Sequence, residues 1–294
     1  MKILLTGSGG QLGQALIASA PDDLELVATS RSELDLSDPN ACRHAVEQHR
    51  PDWVLNAGAY TAVDRAESEP DLAHAVNAEA PRAFAKALKQ QGGRLLQIST
   101  DFVFDGSQGS PYKPDQQRNP LGVYGASKAA GESAIESLFN GDTQAVILRT
   151  SWVIGPVGKN FARTMLRLHQ ERDSIGVVAD QVGCPTSTIN LAQACWQTIR
   201  LGNTSDLPPV MHWSNAGAAS WYDVSVAVGR IGHDLGLINQ PAEVMPITTA
   251  DYPTPAKRPP YSLLDCSSTR AALQLPGEDW NKALRTVLSQ MHQP

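Results

Sequence analysis

Basic charge, aromatic rings and sulfur are all scarce in this sequence. Its 294 residues carry 24 Lys and Arg against 30 Asp and Glu, a formal net charge of −6, which argues against a nucleic-acid surface. No basic run or basic amphipathic helix suggests attachment to a membrane surface. No apolar stretch approaches the ~20 residues that span a bilayer. Glycine interrupts the first apolar run at Gly7, too early for an export signal. The four cysteines, Cys42, Cys184, Cys195 and Cys266, show neither metal-ligand nor redox spacing. They read as free thiols of a reducing, cytoplasmic compartment, most of them packing residues. Internal repeats and low-complexity tracts are also missing. What is present, 41% hydrophobic and 18% charged residues, describes a folded chain with core enough for one large or two modest domains.

The apolar run Lys2-Ile3-Leu4-Leu5-Thr6 suits a strand buried on both faces. Gly7-Ser8-Gly9-Gly10-Gln11-Leu12-Gly13 follows, and Gln11 to Ser19 reads as a helix. Strand, glycine turn and helix are the context of a dinucleotide loop. Gly7 permits the turn, Gly10 lets backbone approach a pyrophosphate, and Gly13 lets helix lie on strand. The helix start then offers free N–H groups to the phosphates. The alternative is a glycine-rich turn that binds nothing. Leu24 to Thr29 predicts a second strand, ending in Ser30-Arg31 where an NAD-preferring protein usually carries an acid. A hydroxyl and a guanidinium suit a 2′-phosphate, so NADPH is expected over NADH; the alternative is a solvated Arg31. Asp35 and Leu36 offer an adenine one acceptor and one apolar contact. Asp38 and Pro39 read as cap and first residue of a helix to about His49.

Trp53 to Ala59 predicts a third strand whose small end residues, Ala57 and Ala59, leave room for a cofactor, with Tyr60 and Thr61 continuing over the crevice. Glu67, Glu69 and Asp71 read as a solvated loop rather than metal ligands. Leu72 to Gln90 reads as one long helix. Arg94 to Ser99 predicts a fourth strand that opens into Thr100 and Asp101. The Gly, Pro and Gln-rich stretch 106–120 is a loop and candidate lid. A helix to about Leu138 and a strand from Gln144 to Thr150 follow. The expected fold is α/β, a doubly wound parallel sheet over residues 1–152 that binds a dinucleotide. Beyond it the rhythm breaks. Helices over Asn160–Arg172 and Ser187–Arg200 flank a strand at Gly176–Ala179, and prolines multiply. Residues 153–294 are expected to form a smaller, irregular substrate region that returns elements to the first.

Tyr124 and Lys128 stand four residues apart, on one face of the predicted helix. An ammonium beside a phenol lowers the phenol's pKa, which readies it to move a proton near neutral pH. A surface Tyr and a solvated Lys are the bland alternative. Gly7/Gly10/Gly13, Asn56-Ala57, Thr100 and Tyr124-x-x-x-Lys128 follow the order of the extended short-chain dehydrogenase/reductases, which the chain resembles. Further stretches narrow the likeness: Gly9 to Gly13, Tyr60 to Glu67, Ser99-Thr100-Asp101, Val123 to Gly125, Arg149 to Val153, Asn160 to Ala162, Tyr252 to Pro255 and Arg258-Pro259. Through them nearly the whole chain is similar to the reductases of dTDP-rhamnose biosynthesis, which serve cell-surface polysaccharides.

The resemblance implies hydride transfer from NADPH, or NADH, to the C4 ketone of dTDP-4-dehydro-L-rhamnose, giving dTDP-L-rhamnose. It implies that Tyr124 protonates the alkoxide, that Lys128 tunes Tyr124 and holds the nicotinamide ribose, and that Thr100 hydrogen-bonds the ketone. Asp101, Trp152, Asn160 and Arg258 would meet the sugar nucleotide, Arg258 either at the diphosphate or instead in a surface salt bridge. Gln11 and Leu12 belong to the cofactor loop. Phe102 stands where many relatives have tyrosine. Gln14-Ala15 stands where some carry a glutamate of a metal-bridged dimer, so no metal is expected, and monomer and homodimer both stay open. Two other classes also stay open. One is a non-catalytic regulator resembling the β subunit of methionine adenosyltransferase; the other is a different sugar-nucleotide reductase or an epimerase.

Overall fold

Ile3, Leu4 and Leu5 have no exposed surface, because the strand they form, β1 (Lys2–Thr6), lies inside a parallel sheet with helices on both faces. The computed structural model describes residues 1–140 and 143–291. After β1 come α1 (Gln11–Ala18), β2 (Glu25–Thr29), α2 (Pro39–His49) and β3 (Trp53–Asn56). The Asp38 carboxylate caps α2 by accepting the Asn40 N–H at 2.8 Å, as the Asp-Pro pair predicts. Strand β3 ends at Asn56 rather than Ala59. There the Thr6 hydroxyl donates to Asn56 Oδ1 at 2.5 Å and accepts the Gly58 N–H at 3.1 Å, which turns the chain out of the ladder.

Next are α3 (Val63–Ala66), α4 (Pro70–His74), a π turn over Ala75–Glu79 and α5 (Ala80–Gln91). The expected single helix from Leu72 to Gln90 thus contains a π insertion, around Asn77, whose buried side chain is drawn to the backbone of Tyr60. Then follow β4 (Arg94–Thr100), α6 (Val123–Phe139) and β5 (Ala145–Thr150). The candidate lid between β4 and α6 is pinned. The Tyr112 hydroxyl donates to Asp105 Oδ1 at 2.9 Å, Asn119 donates to Asp105 Oδ2 at 2.8 Å, and Tyr112 bridges to Leu264.

The second half holds β6 (Val153–Ile154), α7 (Phe161–Glu171), β7 (Ser174–Val178), β8 (Val182–Gly183), β9 (Thr186–Ser187), α8 (Thr188–Gly202) and β10 (Val210–His212). It continues with β11 (Ala219–Ser220), α9 (Trp221–Asp234), β12 (Glu243–Ile247), α10 (Ser267–Leu273) and α11 (Trp280–Ser289). The main sheet runs β10-β5-β4-β3-β1-β2, all parallel. Alternate residues face opposite helices. Ile3, Leu5, Leu55, Leu96 and Leu148 meet α1 and α8, while Leu4, Val54, Leu95 and Ile147 meet α2, α5 and α6. A separate apolar cluster joins α7, α9, α11 and β7. The sixth strand, β10, has no counterpart in the sequence-based expectation: it is three residues long and follows Pro208-Pro209. Among the described residues no helix is long and apolar enough to cross a membrane.

Candidate active site

The strand order reverses at β1, whose neighbours are β2 and β3, and in such sheets ligands bind beyond the carboxyl ends at that point. A cavity of about 720 Å³ opens there. Its first wall is the glycine turn. Gly7 has φ +70°, and a Cβ on it would stand 2.6 Å from the Gly58 Cα. A Cβ on Gly13 would stand 2.1 Å from the Gly7 carbonyl oxygen, so only glycine lets α1 begin this close to β1. Around this cradle Gly10, Leu12, Arg31, Asp35, Leu36, Ala57, Ala59, Tyr60 and Thr61 all line the cavity. A bare backbone edge at a helix start fits the pyrophosphate of a dinucleotide. Gln11 lines the cavity too, but its side-chain oxygen accepts the Gly155 N–H at 2.9 Å and the Asn160 amide at 2.8 Å. It therefore ties the glycine turn to the second half of the chain.

An acid, Glu33, follows β2 four residues past its last residue, Thr29, but turns back on the loop rather than lining the cavity. Glu33 Oε2 accepts both the N–H and the hydroxyl of Ser30, each at 2.7 Å, and these bonds lower the Glu33 pKa. The Ser-x-x-Glu spacing of a capping box was its signal. Glu67 and Glu69 are not simply solvated. Glu67 accepts the first N–H of α6, from Val123, at 2.9 Å, and Glu69 accepts the Tyr60 hydroxyl at 2.6 Å. Asn77 clamps Tyr60 from both sides, accepting its N–H at 2.9 Å and donating to its carbonyl at 3.0 Å. Asn77 also donates to Ser127 on α6 at 3.0 Å.

Helix α6 brings Tyr124 and Lys128 to the cavity, and β4 brings Thr100. The Thr100 hydroxyl donates to Asp101 Oδ1 at 3.0 Å and accepts the Phe102 N–H at 3.1 Å. The Phe102 ring meets the Tyr124 ring edge-on, centroids 5.5 Å apart. The expected acidified phenol is not what the structure holds. Burial pushes Tyr124 up to about 12, the Asp101 charge adds to this, and only a hydrogen bond with Thr100 opposes it. The Lys128 ammonium instead donates to the Ile98 carbonyl at 2.7 Å. Burial lowers Lys128 to about 8, against the charge of Glu132. Burial also lifts the Asp101 carboxyl to about 6, with hydrogen bonds from Ser262 and Thr100 pulling the other way. Tyr124 is thus a fully protonated acid at neutral pH, beside a lysine still charged.

Trp152 lines the opposite wall with φ +45°. Its ring stacks on Trp221, centroids 3.6 Å apart and planes 9° apart, and Phe161 leans on Trp221. Gly183 leaves room for this stack, since a Cβ there would lie 2.7 Å from the indole. Trp221 gave no sequence signal, because only the fold brings α9 here. Asn160 is near but committed. Its Oδ1 caps α7 by accepting the Arg163 N–H at 3.0 Å, and its amide donates to Gln11 and to the Gly155 carbonyl, each at 2.8 Å. It lines the cavity as well, so the same side chain caps α7 and borders the site. Arg258 forms the salt bridge of the two options, 2.9 Å from Asp64 Oδ2 and 3.0 Å from Oδ1, on the cavity's rim.

A switch-point glycine cradle with Thr, Tyr and Lys at the adjoining strand end and helix defines an extended short-chain dehydrogenase/reductase, a class of Rossmann-fold oxidoreductases. The family model described as RmlD substrate binding domain matches residues 1–293. The chain belongs to that family. It is 38% identical over 291 residues to the dTDP-4-dehydrorhamnose reductase of Aggregatibacter actinomycetemcomitans, covering 97% of this chain and 98% of that one. It is 42% identical to the dTDP-4-dehydrorhamnose reductase of Streptomyces griseus, over 96% of this chain and 91% of that one. A crystal structure of dTDP-4-dehydrorhamnose reductase from Bacillus anthracis in complex with NADP matches with a TM-score of 0.88 at 33% identity, covering 97% and 98%.

Proposed function

We propose that this chain is an NAD(P)H-dependent dTDP-4-dehydrorhamnose reductase that reduces the C4 ketone of dTDP-4-dehydro-L-rhamnose to give dTDP-L-rhamnose. The observation that carries this is the meeting of the glycine cradle, Thr100, Tyr124, Lys128 and Trp152 on one cavity. Relatives at 38% and 42% identity over nearly the whole chain bear that name. NADPH, the preferred cofactor, supplies the hydride when bound. Gly7, Gly10 and Gly13 would hold its pyrophosphate, and Arg31, on the same cavity, would meet a 2′-phosphate. The Thr100 hydroxyl binds the ketone oxygen and stabilises charge where it develops. Tyr124 then gives its proton to that oxygen. Lys128 steadies the phenolate that remains, and the indole of Trp152 bounds the sugar nucleotide. Asp101, 2% exposed beside Thr100, accepts the Thr100 proton at 3.0 Å in this structure, and that proton turns from Asp101 to the ketone oxygen when the sugar binds. Four buried, unpaired cysteines suit work in the reducing cytoplasm, as a monomer or a homodimer.

The test is the purified protein with dTDP-4-dehydro-L-rhamnose and NADPH, following loss of reduced-nicotinamide absorbance and the sugar product. Stoichiometric oxidation of NADPH with formation of dTDP-L-rhamnose is expected. Absence of turnover would point to a regulator, and turnover without net cofactor consumption to an epimerase; either result would overturn the proposal.

A further inference from the structure

Behind the catalytic helix lies a buried ionic cluster that touches none of the reacting atoms. Glu132, one turn beyond Lys128 on α6, is 1% exposed. Its Oε2 accepts Arg149 at 2.7 Å and Arg118 at 3.0 Å, and its Oε1 accepts Arg149 Nε at 3.0 Å and the Ser99 hydroxyl. Arg149, from β5, is 2% exposed. It also donates to the Pro114 carbonyl at 3.1 Å and stands 3.2 Å from His212 Nε2. Arg118 reaches in from the loop between β4 and α6 and pairs with Glu136 as well, at 2.7 Å.

Two guanidinium groups, Arg149 and Arg118, therefore grip one enclosed carboxylate, and Lys128, one turn earlier on α6 with its ammonium on the Ile98 carbonyl, feels the charge of that carboxylate without pairing with it. Arginine does not give up its proton in proteins. If the Glu132 charge were lost, the cluster could shed positive charge only at Lys128. The other groups facing this region do not replace Glu132. His212, on β10, is kept neutral by burial and by the Arg149 charge, which bring it down to about 3. Asp101, at the end of β4, hydrogen-bonds Thr100. Tyr124 is uncharged, Glu136 is engaged with Arg118, and the π turn contributes Asn77, which carries no charge.

We propose that Glu132 is a positioning residue for the reduction: its charge, shared with Arg149 and Arg118, keeps Lys128 an ammonium, so the alkaline limit of turnover is set from behind the helix. This rests on the reductase reading of the site. The experiment compares pH profiles of kcat for the wild type, Glu132→Gln, Glu132→Asp and Arg118→Met. The alkaline limb should move to lower pH by at least about half a unit in Glu132→Gln and return towards wild type in Glu132→Asp. It should move to higher pH in Arg118→Met, which removes a cation but leaves the carboxylate. A purely structural role would lower kcat at every pH and leave the limb in place; an unmoved limb, or shifts of the same sign, overturns the proposal. Should Glu132→Gln fail to fold, the direction of the Arg118→Met shift decides alone. The midpoint of the Lys128 Cε resonance, titrated in lysine-labelled protein without cofactor or sugar, must shift in the same directions. That readout separates a failure of this proposal from a failure of the reductase reading.

Discussion

A phenol gives up a proton more readily when something nearby accepts the charge it leaves behind. At Tyr124 the surroundings favour the neutral ring, because burial dominates and Asp101 adds to it. Loss of that hydroxyl is therefore expected to remove a committed acid. Tyr124→Phe should lower kcat by two or more orders of magnitude while leaving NADPH affinity within about twofold, as read by turnover and by fluorescence titration. Asp101 makes a second prediction with a definite sign. Its carboxyl titrates near 6 when folded, against 3.8 as the reference. Between those values the folded state holds more protons than the unfolded one, so stability falls as pH rises and the penalty is complete above about pH 6. Asp101→Asn should melt above wild type at about pH 8, and the two should converge below about pH 4. A constant offset across that range, seen by calorimetry, would mean that ionisation of Asp101 is not its source. At the far end of the cavity, Arg31→Ala should lower the kcat/KM ratio of NADPH to NADH, and an unchanged ratio would remove its proposed role.

Helix α6 shows how backbone contact can outweigh helix propensity. Gly131 faces the π turn, and a Cβ there would lie 2.2 Å from the Asn77 carbonyl oxygen. Replacing glycine by alanine inside a helix ordinarily gains about 0.5–1 kcal/mol. Here the opposing atom is backbone, fixed by the Asn77 bonds to Tyr60 and Ser127, so Gly131→Ala should be net destabilising in urea titrations. Features set by a few adjacent residues were legible in the sequence: the glycine turn, the Asp38 cap of α2, and the Tyr124–Lys128 face of α6. What escaped depends on distant residues meeting. The Glu132 carboxylate was in plain view four residues past Lys128, but its partners Arg149 and Arg118 come from β5 and a loop. The π insertion exists because Asn77 is bonded to Tyr60 seventeen positions away. Trp221 reaches Trp152 only once α9 has packed, and β10 is too short to carry an alternation of its own.

At the scale of the whole molecule, the two halves of the chain are tied across the sheet by β10 on β5 and around the cavity by side-chain hydrogen bonds. Gln11 holds Gly155 and Asn160 on one side, while Asp64 holds Arg258 and the Ala256 N–H on the other. The Asp64–Arg258 pair is partly exposed, at 41% and 24%, so its loss should cost well under 1 kcal/mol or so of global stability. Its local effect should be larger. Asp64→Ala is expected to raise the rate of limited proteolysis within 252–260 and the KM for the sugar nucleotide, with little change in melting temperature. Equal cleavage of both proteins would mean that other contacts hold this segment.

The edge strand β10 and the covering helix α8 have a consequence for how the protein is made. A ribosome that has released β1 to β5 has released a sheet whose Ile3, Leu5, Leu55, Leu96 and Leu148 side still waits for α8. Until then the nascent chain carries a greasy face that α1 alone covers in part, an invitation to chaperones. A gene cut after Trp152 should accordingly yield inclusion bodies.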